Sequence, residues 1–375
     1  MSQNIIVLGA GLVGKAIAID LKKSGYNVTS LDLNAKALGE LSDKHQISTI
    51  RTDFTGDHLL EIIKEFDLVV GAAPGSRGYG IMERVIRAGK NMVDISFCPE
   101  NFMELDHMAS ENGVTIVPDM GVAPGMCNTI LGYHHARMVV DSYRCLVGGL
   151  PFERSWPLEY KSSWSPMDCI GEYTRPARFR VDSKDVVKPA LSDQEPVVFE
   201  GIGTLDAWNS DGLRSLLDSF PRIPSMVEKT LRYPGTVDYL RALRELGYFS
   251  EDEVEVNGRS IRPLDLTAAL LFPQFKLDEG EREFTVMRVT IDGKEKGEVT
   301  TYEYNLYDEY DPVTDTNSMA RTTGYTCTGV ANLILKKMLK EKGVIPPEAV
   351  GVKEENFRYL LTHLDDRGVK YRLKS

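Results

Sequence analysis

An apolar run, Ile5–Leu8, meets Gly9-Ala-Gly11-Leu12-Val13-Gly14 and passes into apolar residues at helical spacing as far as Lys23. This combination leaves few folds open. Four apolar residues closed by a glycine read as a buried strand and the following spacing as a helix, so the G-x-G-x-x-G pattern occupies a strand-to-helix turn. Taken alone the pattern is weak, because glycines recur by chance in loops; its position supplies the meaning. Gly9 permits the tight turn, and Gly11 takes a β-carbon out of the path of a pyrophosphate. Gly14 lets the helix lie close on the strand while the N–H groups at Leu12 and Val13 face the phosphates. Asp32 ends the next apolar run, 18 residues past Gly14. There it would accept hydrogen bonds from the adenine ribose and repel a 2′-phosphate, and neither Leu33 nor Asn34 supplies an arginine for that phosphate. NAD is the expected cofactor, and NADP is disfavoured. The competing reading is a domain that has lost its nucleotide, with Asp32 a solvated strand-end residue.

The alternation continues through apolar runs near Val28–Leu31, Ile47–Ile50, Leu68–Val70, Met92–Ile95 and Val114–Val117, with helical patterns between them. Six short buried strands separated by helices predict an α/β fold, a doubly wound parallel sheet of the Rossmann type. After the fourth run, Ala72-Ala73-Pro74 supplies small residues where the backbone passes close to a cofactor. A turn that simply needs such residues is the plainer alternative. Asp94 is a further cofactor candidate and Ser96 a candidate for substrate contact. Beyond Pro118 the rhythm breaks at Gly121-Val-Ala-Pro-Gly125, and segments such as Phe284–Ile291 and Val299–Tyr304 read as antiparallel strands. The expected organisation is a Rossmann domain over 1–122 and a second, α+β domain with a mixed or antiparallel sheet over 123–318. A helical segment, 319–375, then returns towards the first domain, with its helix running from Met319 to Lys342.

A chain of 375 residues suits two or three domains at roughly 100–200 residues each. Its 44 Lys plus Arg against 55 Asp plus Glu, a formal charge of −11, include no basic block to track phosphates, so nucleic acid is not an expected partner. The five cysteines are scattered and never form C-x-x-C, which predicts neither a disulfide framework nor a zinc site and fits a reducing cytoplasm. His134 and His135 lack a third ligand at metal spacing, so no metal is expected. Neither a secretory leader nor a membrane-spanning run is expected.

Gly148-Gly-Leu-Pro151, Glu159-Tyr-Lys-Ser-Ser-Trp-Ser-Pro166, Asn209-Ser-Asp-Gly-Leu213, Thr230-Leu-Arg-Tyr-Pro-Gly235 and Met319-Ala-Arg-Thr-Thr-Gly-Tyr325 follow the glycine turn in order. On these motifs the chain resembles the saccharopine dehydrogenase (reductase) family over nearly its whole length. Saccharopine reductases of that family typically carry an acidic residue before the Pro-Gly of the interdomain motif and a histidine soon after it; here the residues are Ala123 and Asn128. That departure, with the shorter chain, implies the branch that oxidises the ε-amine of L-lysine with NAD, giving allysine and ammonia.

Hydride loss from the ε-carbon requires a neutral amine, hence a nearby proton acceptor, and water must then attack the imine. Asp119, at the end of the sixth strand, is a candidate for positioning the amine or the water, and equally a capping residue of an Asx turn. Lys161 is an acid/base if burial lowers its pKa, a cation for the substrate carboxylate, or merely solvated. The resemblance implies Arg232 as the bidentate donor for the α-carboxylate, against a structural ion pair; for Arg175 the ion pair is favoured. Tyr160 and Trp164 either wall the aliphatic stem of the substrate or belong to the core. Two other functions stay open: turnover of saccharopine, and an NAD-sensing module without turnover. A homodimer is expected by fold analogy.

Overall fold

The computed structural model describes residues 3–54, 56, 58–162, 165–278 and 280–374, and these divide into two compact units. The first comprises Met1–Arg137 and Met319–Lys370, and the second Met138–Ser318 and Tyr371–Ser375. Trp164 lies outside the described residues.

In the first unit the strands are β1 (Asn4–Leu8), β2 (Asn27–Asp32), β3 (Ser48–Arg51), β4 (Leu68–Gly71), β5 (Asn91–Asp94) and β6 (Thr115–Val117). All pair in parallel, in the spatial order β6-β5-β4-β1-β2-β3, and each is joined to the next through a helix. Ile5, Ile6, Val7 and Leu8 are all fully buried, as a strand covered by helices on both faces requires. The reversal of strand order between β1 and β4 is the switch point outside which such sheets bind ligands.

Two differences from the expected layout have local causes. The helix read as Met319–Lys342 spans Ser318–Leu335, and Lys337 turns the chain with φ +59°. Gly343–Val344 then adds a seventh parallel strand beside β6. A pair of residues has no period from which to be read. The break expected at 122/123 falls instead at Arg137/Met138, because the helix Met126–His135 packs on the segment Pro347–Gly351 within the first unit. A Cβ on Gly132 would lie 1.9 Å from the carbonyl oxygen of Glu348, which shows how closely the two pass.

The second unit is built on β7 (Val139–Pro151), β8 (Ala177–Val181), β9 (Lys184–Lys188), β10 (Ser192–Phe199), β11 (Gly203–Asn209) and β12 (Ser225–Arg232). A small hairpin, β13 (Val254–Val256) and β14 (Arg259–Ile261), stands apart. The long hairpin β15 (Glu283–Glu295) and β16 (Glu298–Glu309) completes the main sheet with a last strand, Tyr371–Lys374. The order is β10-β11-β12-β7-β15-β16 and then Tyr371–Lys374. Only β12 and β7 are parallel along this path, so the sheet is mixed, as expected. One core gathers Tyr160, Tyr173, Trp208 and Phe275, and another Leu146, Leu205, Leu231 and Phe284.

Candidate functional site

The glycine turn in the first unit is shaped by backbone crowding at two positions and by open space at the third. Gly9 has φ +123°, and a Cβ there would lie 2.3 Å from the carbonyl oxygen of Ala72. A Cβ on Gly14 would lie 2.2 Å from the carbonyl oxygen of Gly9. A Cβ on Gly11 would meet no protein atom within 4 Å. Packing within the unit therefore requires the outer two glycines but not the middle one. Gly11 is also the N-cap of the helix Leu12–Lys23, and no side chain caps that helix start. Uncapped N–H groups beside open space form an anion site, which fits a dinucleotide pyrophosphate.

Asp32 is fixed beside this turn. Its Oδ2 accepts from the backbone N–H of Ala10 at 2.7 Å, and its Oδ1 from that of Asn34 at 2.8 Å. A carboxylate held by backbone donors keeps lone pairs for a ribose diol. Parallel pairing of β2 and β3 also sets Arg51 in register with Asp32, its Nε donating to the carbonyl of Leu33 at 3.3 Å. This cation was not legible from the residues following Asp32, because only strand register brings it there.

Ala72, Ala73 and Pro74 carry the chain from β4 to the helix Gly75–Arg87, whose start at Pro74 also lacks a side-chain cap. Asp94, Ser96 and Asp119 lie at or just past the carboxyl ends of β5 and β6, all buried. Asp94 Oδ2 accepts from the backbone N–H of Ser96 at 2.8 Å, and Ser96 Oγ is 3.0 Å from Ala73 O and 3.1 Å from Asp94 Oδ1. Burial pushes Asp94 up to about 7; its bonds from Ser96 oppose this and the charge of Asp119 adds to it. Gly71 makes the space, since a Cβ there would lie 1.8 Å from Asp94 Oδ1. Asp119 adopts φ +50°, and its main-chain oxygen accepts from the N–H of Gly121 at 3.0 Å. Asn128 works as a local cap, its Oδ1 accepting from the N–H of Gly125 at 3.2 Å.

The remaining candidates lie in the second unit. Arg232 is fully buried, with its guanidinium 4.0 Å from the Tyr160 ring centre. Nε and Nη2 donate to Tyr173 Oη at 3.4 and 3.3 Å, Nη1 to Leu231 O at 2.9 Å, and Nη2 to Glu172 Oε2 at 3.3 Å. Four of the five guanidinium donors are thus engaged within the protein, the arrangement of an internal ion pair. Tyr160 packs in the core under Arg232 and edge-on to Phe275. Arg175 is within electrostatic reach of Asp211, Glu172 and Asp168.

Of the readings open for Lys161, the one that needs a lowered pKa is not met. Its Nζ lies 2.6 Å from Glu281 and 3.4 Å from Asp278. Desolvation pulls the ammonium down, but the two carboxylates together hold it above the usual lysine range. A cation so paired keeps its proton and is no acid/base near neutral pH.

Glu172 and Glu228 had no signal in the sequence. Glu228 accepts from Ser210 Oγ at 2.6 Å and from the N–H of Gly212 at 3.1 Å, which explains two residues of the Asn209–Leu213 motif. Burial pushes Glu228 up to about 8, against the hydrogen bond from Ser210. Asp211 of the same motif pairs with Arg178 at 2.9 Å. Of these three acids, Glu172 is the one paired with Arg232, at 3.3 Å.

His134 stands edge-on to Tyr133 at 5.1 Å, and among the described residues no group of three His, Cys, Asp or Glu side chains is placed to hold a metal. No helix of the described residues is long and apolar enough to cross a membrane.

Fold and site together define a two-unit protein with a nicotinamide-dinucleotide-binding sheet and a mixed-sheet partner. Residues 5–117 match the saccharopine dehydrogenase NADP binding domain, and 105–369 the saccharopine dehydrogenase C-terminal domain. The chain belongs to the saccharopine dehydrogenase family. It is 28% identical over 266 residues to the saccharopine dehydrogenase [NADP(+), L-glutamate-forming] of Pyricularia oryzae, covering 67% of this chain and 59% of that protein. Identity to the Saccharomyces cerevisiae protein of that description is 26%, over 70% of this chain and 62% of the relative. The match therefore spans about three-fifths of the length of these two relatives. Carboxyaminopropylagmatine dehydrogenase of Synechocystis is 22% identical over 92% of both chains. Among solved structures, apo saccharopine dehydrogenase (L-Glu forming) from Saccharomyces cerevisiae superposes with a TM-score of 0.81 at 20% identity, over 100% of this chain and 99% of the other. Homospermidine synthase from Legionella pneumophila, solved with NAD, gives 0.71 at 12% identity, over 100% of this chain and 91% of the other. These two establish the fold.

Proposed function

We propose that this protein is an NAD-dependent dehydrogenase oxidising the ε-amine of L-lysine, the reaction of a lysine 6-dehydrogenase. The observation that carries the cofactor half is the open space before Gly11 beside the fixed carboxylate of Asp32. The lysine half rests on Ala123 and Asn128, which replace the acidic residue and histidine expected of saccharopine reductases. In the balanced reaction the ε-ammonium, NAD⁺ and water give the aldehyde, ammonium, NADH and one proton. The bound nicotinamide supplies the hydride acceptor. Asp119, buried at the carboxyl end of β6, is the group proposed to take the proton from the ammonium and then to orient the water.

NAD is preferred in this reading because Asp32 repels a 2′-phosphate, although Arg51, in register with it, is suited to attract one. Asp32→Ala is expected to weaken NAD binding at least tenfold and to shift the NAD-to-NADP preference towards NADP. Titration with both dinucleotides checks this, and an unchanged ratio removes Asp32 from the site. Incubation with NAD and L-lysine should give NADH with ammonia in step.

Saccharopine is the second reading, favoured by the names of the curated relatives. NADH or NADPH formed from saccharopine but not from lysine would establish it. Silence with every amine, with dinucleotide binding intact, points to a sensor. A homodimer remains part of the proposal, to be checked by light scattering.

A further inference from the structure

The group of Asp94, Ser96 and Ala73 contains more acceptors than hydrogens. Ser96 has one hydroxyl hydrogen, yet its Oγ is 3.0 Å from the carbonyl oxygen of Ala73 and 3.1 Å from Asp94 Oδ1. One hydrogen serves both only as a weak, forked bond. If it goes to Ala73, an ionised Asp94 leaves two oxygens facing each other with no hydrogen between them. If it goes to Asp94, the carbonyl loses it. One proton on Asp94 Oδ1 resolves the count: Asp94 donates to Ser96, and Ser96 donates to Ala73.

We propose that Asp94 carries a proton in the resting protein and, through the Ser96 hydroxyl, holds the Ala73 carbonyl, making Asp94 a positioning residue for the Ala72–Pro74 loop and tying that loop to pH. The proposal rests on the dinucleotide reading only for its consequence in binding. The surroundings agree with it. From β6, Asp119 faces Asp94 with a like charge; from the helix Ser318–Leu335, Cys327 faces it as a fully buried thiol; Gly71 of β4 offers only backbone. Among the described residues, the leading influences on Asp94 include no cation. Burial, the largest influence, sets the loss of this proton near pH 7. Above that, the single Ser96 hydrogen turns to the carboxylate, and the Ala73 carbonyl loses its donor.

Two measurements test the idea independently. The first needs no ligand. The infrared carbonyl band of a protonated carboxyl group should be present at pH 5.5 and lost by pH 8.5 in a difference spectrum of wild type against Asp94→Asn. The variant serves as reference because Glu228 adds a band of its own. Absence of a pH-dependent difference overturns the proposal. The second is fluorescence titration with NADH. The wild-type dissociation constant is expected to rise about tenfold from pH 6 to pH 8.5, the effect of one lost hydrogen bond. In Asp94→Asn, whose amide donates to Ser96 at every pH, the profile should be flat. Parallel slopes in the two proteins also overturn the proposal. NADH binding absent at every pH, with the infrared difference present, would instead count against the dinucleotide reading. Should Asp94→Asn not fold, Ser96→Ala replaces it: the carboxyl band should persist while the pH slope of binding disappears, and a persistent slope overturns the relay.

Discussion

Gly14→Ala is expected to lower the stability of the first unit by about 2–4 kcal/mol and to weaken dinucleotide binding at least 100-fold. The added methyl would lie 2.2 Å from the Gly9 carbonyl oxygen and 3.3 Å from the Ala72 side chain. The first neighbour is backbone and cannot rotate away, so relief requires the helix to lift from β1 or the turn to open. Either movement displaces the N–H groups that would meet the pyrophosphate. Gly11→Ala makes the informative contrast, since its methyl meets no protein atom within 4 Å and φ there is −68°. Its unfolding midpoint should stay near that of the wild type while affinity for NADH falls sharply, because the clash is with the ligand alone. Urea unfolding and fluorescence titration on the two variants distinguish these outcomes. Undiminished affinity in Gly11→Ala would remove the pyrophosphate from this turn.

Arg232→Leu is expected to cost about 3–5 kcal/mol, because it leaves the largely buried Glu172 carboxylate without its hydrogen-bonded partner and strips the Tyr160 ring of its stacked cation. A second change, Glu172→Leu on the same chain, should recover most of that loss, as replacing both members of a buried pair with apolar groups often does. A double-mutant cycle followed by urea unfolding measures the recovery. If Arg232 instead grips the α-carboxylate of the substrate, the single variant would keep its unfolding midpoint and show a strongly raised KM. That result would reverse the ion-pair assignment.

The strands of the first sheet were legible as short apolar-rich runs, unbroken in β1 and β4 where both faces are buried, although the edge strand β3 is mostly exposed, and the glycines with Asp32 were legible because strand, turn and helix fix their spacing. What escaped depends on contacts remote in sequence. Arg51 comes beside Asp32 through the pairing of β2 with β3, and Glu228 reaches Ser210 and Gly212 from another strand. Gly71 reads as an ordinary strand end until the Asp94 carboxyl is seen to occupy its missing side chain. The alternatives for Lys161 stayed open for a similar reason: Glu281, which pairs with it, lies 120 positions away. The middle of the chain yielded only a mixed character, since strands such as β10 alternate between half-covered and exposed residues with little apolar period.

Both sheets take their outermost strand from late in the chain, Gly343–Val344 beside β6 and Tyr371–Lys374 beside β16. During synthesis the nascent dinucleotide-binding sheet must therefore wait, its β6 margin unpaired, until some 200 further residues have left the ribosome. A product stopped before Gly343 would present two open margins at once, each a template for another chain, and should be recovered largely as aggregate.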